Sequence, residues 1–177
     1  MSDEIALNQA DPLWPEAFQK ARDEILSILP QSPLLIEHIG STAVPGLDAK
    51  PVIDIIVLIA DMVEADAALP DLERLGYEFR PGVSNPQRWF LRRQGADGVR
   101  THHLHIHTDA EDVRRHVLFR DLLRSDPVLR ANYAALKHDL AARHSLDREA
   151  YAKGKDAFVD AAVAAAGGPA RAPFWNA

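Results

Sequence analysis

The sequence predicts an α+β fold: a mixed β-sheet packed on helices, followed by a C-terminal helical segment. Three observations carry this expectation. The order helix, strand, strand, helix occupies roughly the first half of the chain, turn residues at 95–98 separate two strand-like runs, and helical patterning continues unbroken after His107. A length of 177 residues suits one domain, 1–177, with an α/β core over about 11–107, helices over 108–166 and a loosely held tail over 167–177.

Each element has a local cause. Phe18, Ala21, Ile25 and Leu29 recur at helical spacing behind Trp14-Pro15, so residues 15–29 are expected to be a helix stopped by Pro30 and Pro33. Residues 34–39 form a strand that ends at Gly40, and 42–49 a loop or short helix interrupted by Pro45-Gly46. Val52 to Ile59 is almost wholly β-branched, the pattern of a strand buried on both faces, and Asp54 is its single polar member. Asp61 and Glu64 have the spacing of a capping box for a second helix, which Pro70 should break or kink before Gly76. A short strand is expected over Tyr77–Arg80, then a hairpin of Gln87–Arg93 and Arg100–His107 around Gly95-Ala96-Asp97-Gly98. Three helices follow, 109–124, 127–143 and 148–166, with Gly167-Gly168 as the stop; Phe174 and Trp175 could dock on the body.

Composition narrows the function classes. The chain is 47% hydrophobic and 26% charged, the balance of a globular protein. A formal net charge of −6 disfavours non-specific nucleic-acid binding, so no nucleic-acid partner is expected. No apolar run approaches the ~20 residues that span a bilayer, and Met1 to Gln9 lacks the pattern of a secretory signal. Neither a membrane partner nor export is expected; without cysteine there is no disulfide or Cys-zinc site, which fits a cytoplasmic location.

Three constellations could carry chemistry. Gly40-Ser41-Thr42 closes a strand, where glycine lets backbone N–H groups approach a phosphate and the hydroxyls add donors. Asp54 lies inside the next, buried strand, where an ionised carboxylate needs a partner. The plainer reading of Asp54 is a turn cap or a salt bridge to Lys50. In Thr101–His107, alternation puts His103, His105 and His107 on one face and His102, Leu104 and Ile106 on the other. Two imidazoles within ~7 Å on one face can share a metal or a phosphate, whereas His107, at the strand end, reads as solvated. His116, Arg120 and Arg124 recur every four residues, with Asp121 placed to orient an arginine; Lys137 follows, and Tyr151 and Lys155 share a helix side. Cationic heads converging on one cleft are what a triphosphate or acyl phosphate requires, although singly each fits a solvated helix surface, as do Arg114 and Arg115. Trp89-Phe90 could stack a base, but such a pair more often gives one ring to the core and leaves the other partly exposed.

The segments Ile36 to Leu47 and Ala49 to Ile55 resemble the hallmark of the GrpB family, as do His102 to His105, Arg115-His116 with Phe119 to Asp121, Tyr133 to Lys137, and Tyr151 with Lys155. The resemblance runs from about Asp11 to Val163. It implies a nucleotidyltransferase-like fold, in a family whose domain is also found fused to dephospho-CoA kinase. Active members of that superfamily carry two carboxylates two positions apart after a Gly-Ser turn, and a third on a later strand. Here Asp54 matches the first, Ile56 stands at the second, and the later strand carries His103 and His105. This departure counts against ordinary two-magnesium transfer, and imidazoles suit zinc, manganese or iron better.

The resulting expectation is a nucleotidyltransferase-like enzyme for a nucleoside triphosphate or other phosphorylated small molecule. Asp54, His103 and His105 would be catalytic and would bind a divalent metal ion (Mg, Mn or Zn) or exchange a proton. Gly40, Ser41, Thr42, Lys50, Arg120, Lys137, Tyr151 and Lys155 would bind nucleotide or phosphate. The alternative is a non-catalytic module for a nucleotide- or CoA-type ligand that has lost its second metal-binding carboxylate at Ile56. A third reading is a scaffold that covers its cleft with a partner.

Overall fold

A computed structural model describes residues 5–172. Among them, β1 (Leu35–Ile39), β2 (Ile53–Leu58), β3 (Tyr77–Phe79), β4 (Arg88–Gln94) and β5 (Arg100–His107) form one mixed sheet in the spatial order β1-β2-β5-β4-β3. The central pair β2 and β5 is parallel and the other three pairings are antiparallel. The helices are α1 (Trp14–Leu26), α2 (Met62–Arg74), α3 (Ala110–Ser125), α4 (Pro127–Arg143), α5 (Arg148–Lys153) and α6 (Asp156–Ala165). The expected α+β class and the hairpin are both present.

Strand alternation divides the sheet into two chemically different faces. Ile53, Ile55 and Val57 of β2, with Leu104 and Ile106 of β5, form the main core with Trp14, Phe18 and Ile25 of α1 and Ala65, Ala68 and Leu72 of α2. The other face carries Asp54, Ile56, His103 and His105, and Ile56 packs there with Ile39 and Val113 of α3. The polar strand residues therefore point away from the main core toward α3 and the C-terminal helices. Trp89 and Phe90 are both partly buried: Trp89 packs against the main core beside Phe79, and Phe90 lies beside His103 and His105 on the other face.

Several expected boundaries move. α1 ends at Leu26 rather than residue 29, where the Ser27 hydroxyl donates back to the Glu24 carbonyl (2.7 Å). The Asp61 cap is present, its side chain accepting from Val63 N, but Pro70 does not end α2. Pro70 and Asp66, the residue whose carbonyl it leaves without a partner, are both exposed, so water reaches that carbonyl while buried Ala65, Ala68 and Leu72 hold both halves of the helix. The expected third C-terminal helix is two, α5 and α6. At Gly154 a Cβ would collide with the Leu140 side chain, so glycine lets the turn pass tight against α4. Within the expected loose tail of 167–177, the described residues Pro169 and Arg171 are tied to the body. Arg115 donates to the Pro169 carbonyl (3.0 Å), and Arg171 pairs with Asp156 (2.5 Å) and Asp160 (3.1 Å). Phe174 and Trp175 lie outside the described residues.

Candidate functional site

β1 delivers the chain to Gly40, whose φ of +70° favours glycine, and a Cβ there would run into Asp54 Oδ2. The single turn Ser41–Ala43 follows. The registers Ile39↔Asp54 and Asp54↔His103 place the carboxylate between the glycine turn and the histidine strand. Asp54 Oδ1 lies 2.9 Å from His103 Nδ1, and the two side chains are 28% and 18% exposed. Burial by itself would raise the Asp54 carboxyl, but the His103 hydrogen bond, then the nearby charges of His103, His105 and Lys50, outweigh it and hold the carboxyl below its usual value.

A cavity of about 290 Å³ opens beside this pair. The sheet contributes Gly40, Ser41, Asp54 and His105; α3 contributes Arg115, His116, Phe119 and Arg120; Tyr133, Lys155, Asp156 and Arg171 close the far side. Of the expected site residues, Gly40, Ser41, Asp54, His105, Arg120 and Lys155 thus line this one cavity. His103 supports Asp54 beside it. Thr42 turns away, because its buried hydroxyl meets His38 Nε2 (2.9 Å) and donates to the Val52 carbonyl (3.1 Å). Burial pushes the His105 imidazole well below its usual pKa, with Asp54 opposing.

The lysines form one group around two tyrosines. Lys155 Nζ lies 4.6 Å and Lys50 Nζ 5.0 Å from the Tyr151 ring centre, and Lys137 Nζ lies 5.4 Å from that of Tyr133 while donating to the Asp48 carbonyl. Among the described residues none of the three is within salt-bridge distance of a carboxylate. Burial, then the charge of Lys155, brings Lys50 down to about 8 and Lys137 to about 7; burial also lowers Lys155. Burial raises the Tyr151 phenol to about 12. Lys50, Lys137 and Tyr151 stand off the cavity wall, beside Lys155.

The arginines behave differently. Arg120 is 6% exposed, and its guanidinium is committed to Glu37 (2.6 Å), Asp121 (2.8 Å) and the His38 carbonyl (2.9 Å). Arg124 donates to the Ala43 carbonyl (2.9 Å), tying α3 to the turn after Gly40. Arg114 pairs with Glu111 at the surface as expected, but Arg115 is buried, bonded to Asp160, and lines the cavity. His107 is likewise no solvated edge: it is fully buried with Nδ1 3.1 Å from Asp112 Oδ2, because α3 folds back over the end of β5. Sequence reasoning missed Asp156, Asp160 and Arg171. The i, i+4 spacing of the two aspartates was a usable signal, but nothing local marks Arg171 as their partner.

For a metal, Asp54 offers Oδ2 while Oδ1 faces His103 and Ile56 is fully buried. Among the described residues no three His, Asp or Glu side chains are grouped to hold an ion. The donor set is therefore incomplete for a protein-built metal centre of the expected kind. Also among the described residues, no helix is long and apolar enough to cross a membrane.

The model of the family described as GrpB protein matches residues 4–165. The UPF0157 protein PA4798 of Pseudomonas aeruginosa is 45% identical over 159 residues, covering 89% of this chain but 65% of its own length. A dephospho-CoA kinase of Mycolicibacterium paratuberculosis is 29% identical over 176 residues, covering 86% of this chain and 43% of the kinase. Among solved structures, the conserved protein GrpB from Enterococcus faecalis superposes with a TM-score of 0.80 at 36% identity, over 89% of this chain and 94% of that one. Terminal uridylyl transferase 4 from Trypanosoma brucei, solved with bound GTP, gives 0.54 at 15% identity over 92% of this chain and 53% of that one, a likeness of fold.

Proposed function

The chain belongs to the GrpB family, and we propose that it is a nucleotidyltransferase-like enzyme that takes a nucleoside triphosphate or another phosphorylated small molecule into the cavity beside Gly40 and Asp54. The observation that carries the reading is the convergence, on one cavity, of a glycine turn, an Asp54–His103 pair and the leading edge of a lysine cluster that, among the described residues, has no carboxylate within salt-bridge distance. Asp54 and Asp156 act on Lys155 only from beyond salt-bridge distance, and burying cations without a close ion pair is costly, so the site is suited to an anion that arrives with the ligand.

The residues divide the work. The Gly40 turn and the Ser41 hydroxyl would hold phosphate oxygens. Lys155, backed by Lys50, Lys137 and Tyr151, would receive the charge that develops on the leaving phosphates. The Asp54–His103 pair would take the acceptor's proton, the histidine holding the carboxylate in place. A divalent ion brought in with the phosphates would supply further charge neutralisation, Asp54 and Asp156 being carboxylates that line the cavity. The thoroughly buried Ile56 favours a second reading, a non-catalytic nucleotide- or CoA-binding module. The −6 charge and a cavity sized for a small molecule favour a free ligand over a polynucleotide, and a cytoplasmic location suits such a substrate.

Calorimetry with ATP, with and without magnesium or manganese, combined with a pyrophosphate-release assay, separates the two readings. The enzyme reading expects metal-stimulated binding and pyrophosphate release that Asp54→Ala abolishes while its circular dichroism is unchanged. Metal-independent binding without product supports the module. An Asp54→Ala protein with undiminished binding and turnover overturns the assignment of the site.

A further inference from the structure

Among the described residues, His105 differs from the histidines on either side of it in having no carboxylate beside it. His103 has Asp54 Oδ1 at 2.9 Å and His107 has Asp112 Oδ2 at 3.1 Å. Among the described residues His105 has no carboxylate within that reach, and its Nδ1 is closed off from solvent without a hydrogen-bond partner. Its ring is held instead by neighbouring rings, Phe90 at 5.1 Å and the stacked His116 at 6.4 Å, and it lines the cavity with Gly40, Ser41 and Asp54. Nε2 of His103 and both ring nitrogens of His107 are likewise closed off without a hydrogen bond, so what sets His105 apart is its place on the cavity lining together with the lack of a carboxylate beside it. A ring fixed by packing with an uncommitted lone pair has the properties of a nucleophile.

We propose that His105 is the nucleophile of a two-step transfer, forming a covalent nucleotidyl-histidine with a nucleoside triphosphate; the proposal rests on the nucleotide reading of the cavity. With Nδ1 walled in and carrying the proton, Nε2 attacks the α-phosphorus. The Nε2–P bond forms, the bond from phosphorus to the bridging oxygen breaks, and the electron pair leaves with pyrophosphate beside Lys155. The acceptor's hydroxyl oxygen then attacks the same phosphorus, and its proton passes to the Asp54–His103 pair. The Nε2–P bond breaks and its electron pair returns to the ring. The products are pyrophosphate, a nucleotidylated acceptor and one proton. Two displacements through an imidazole require a proton acceptor beside the nucleophile, which Asp54 and His103 supply, and do not require a carboxylate at Ile56.

The full chain is incubated with magnesium and each of the four common ribonucleoside triphosphates labelled at the α-phosphate. It is then quenched in alkali, where a histidine–phosphorus bond survives, or in acid, where it hydrolyses. Binding of the matching α,β-methylene analogue is measured in parallel. The expected result is alkali-stable, acid-labile label on His105 by peptide mapping, loss of label in His105→Gln with analogue binding kept, and slower release of label in His103→Gln. A wild-type chain that binds the analogue but takes no label, or label that maps elsewhere, overturns the covalent step alone. A chain that binds none of the analogues overturns the nucleotide reading and this inference with it. Peptide mapping of the wild-type label decides the matter even where His105→Gln fails to fold.

Discussion

Replacing Lys137 by methionine should make the protein more stable and less able to bind phosphate. Lys137 is 1% exposed, its ammonium donates to the Asp48 carbonyl, and Lys155 and Lys50 repel it. Burial and these charges bring it from 10.5 to about 7, which corresponds to about 5 kcal/mol against the charged form. Methionine fills similar space without that cost, but leaves the Asp48 carbonyl without its donor, which takes back about 1–2 kcal/mol. The net gain is about 3 kcal/mol, or a rise in Tm of roughly 6–12 °C for a chain of this size. The sign with pH follows from linkage. Between about 7 and 10.5 the unfolded lysine is protonated and the folded one is largely not, so the wild-type protein gains stability as pH rises through that window. The advantage of Lys137→Met is therefore greatest at and below about pH 7 and shrinks toward about pH 10. Urea unfolding followed by circular dichroism across this range measures it, and inorganic triphosphate should stabilise the wild type more than the variant. A variant that is less stable than wild type at neutral pH, or whose gain does not change with pH, would refute the reasoning.

Two further outcomes test the frame of the site. Gly40→Ala places a Cβ against Asp54 Oδ2 at a φ of +70°, and should cost about 2 kcal/mol and displace the carboxylate; urea unfolding that shows less than about 0.5 kcal/mol counts against the tight approach. Arg120→Ala removes the shared partner of Glu37, Asp121 and the His38 carbonyl, and should cost about 2 kcal/mol of stability. It should change ATP affinity less than Lys155→Ala does, by calorimetry; the reverse ranking would make Arg120 a ligand contact.

What could be read from the residues alone is what local periodicity and backbone chemistry determine. The β-branched run around Asp54, the alternation of Leu104 and Ile106 with His103 and His105, and the glycine that ends β1 each specify a strand, a face or a turn within a few residues, and these define the fold class and the polar side of the sheet. Charge pairing is another matter. Whether Arg120 serves a phosphate or Glu37, 83 residues away, and whether Arg115 is solvated or bonded to Asp160, 45 residues away, depend on how distant elements pack. The same holds for Lys50 and Lys155, which meet only across the Tyr151 ring, and for His107, which looks like a strand end until α3 buries it against Asp112. Solvation and Coulomb energy depend on distances through space, so tertiary packing alone decided which charged side chains brace the fold and which are left facing the cavity.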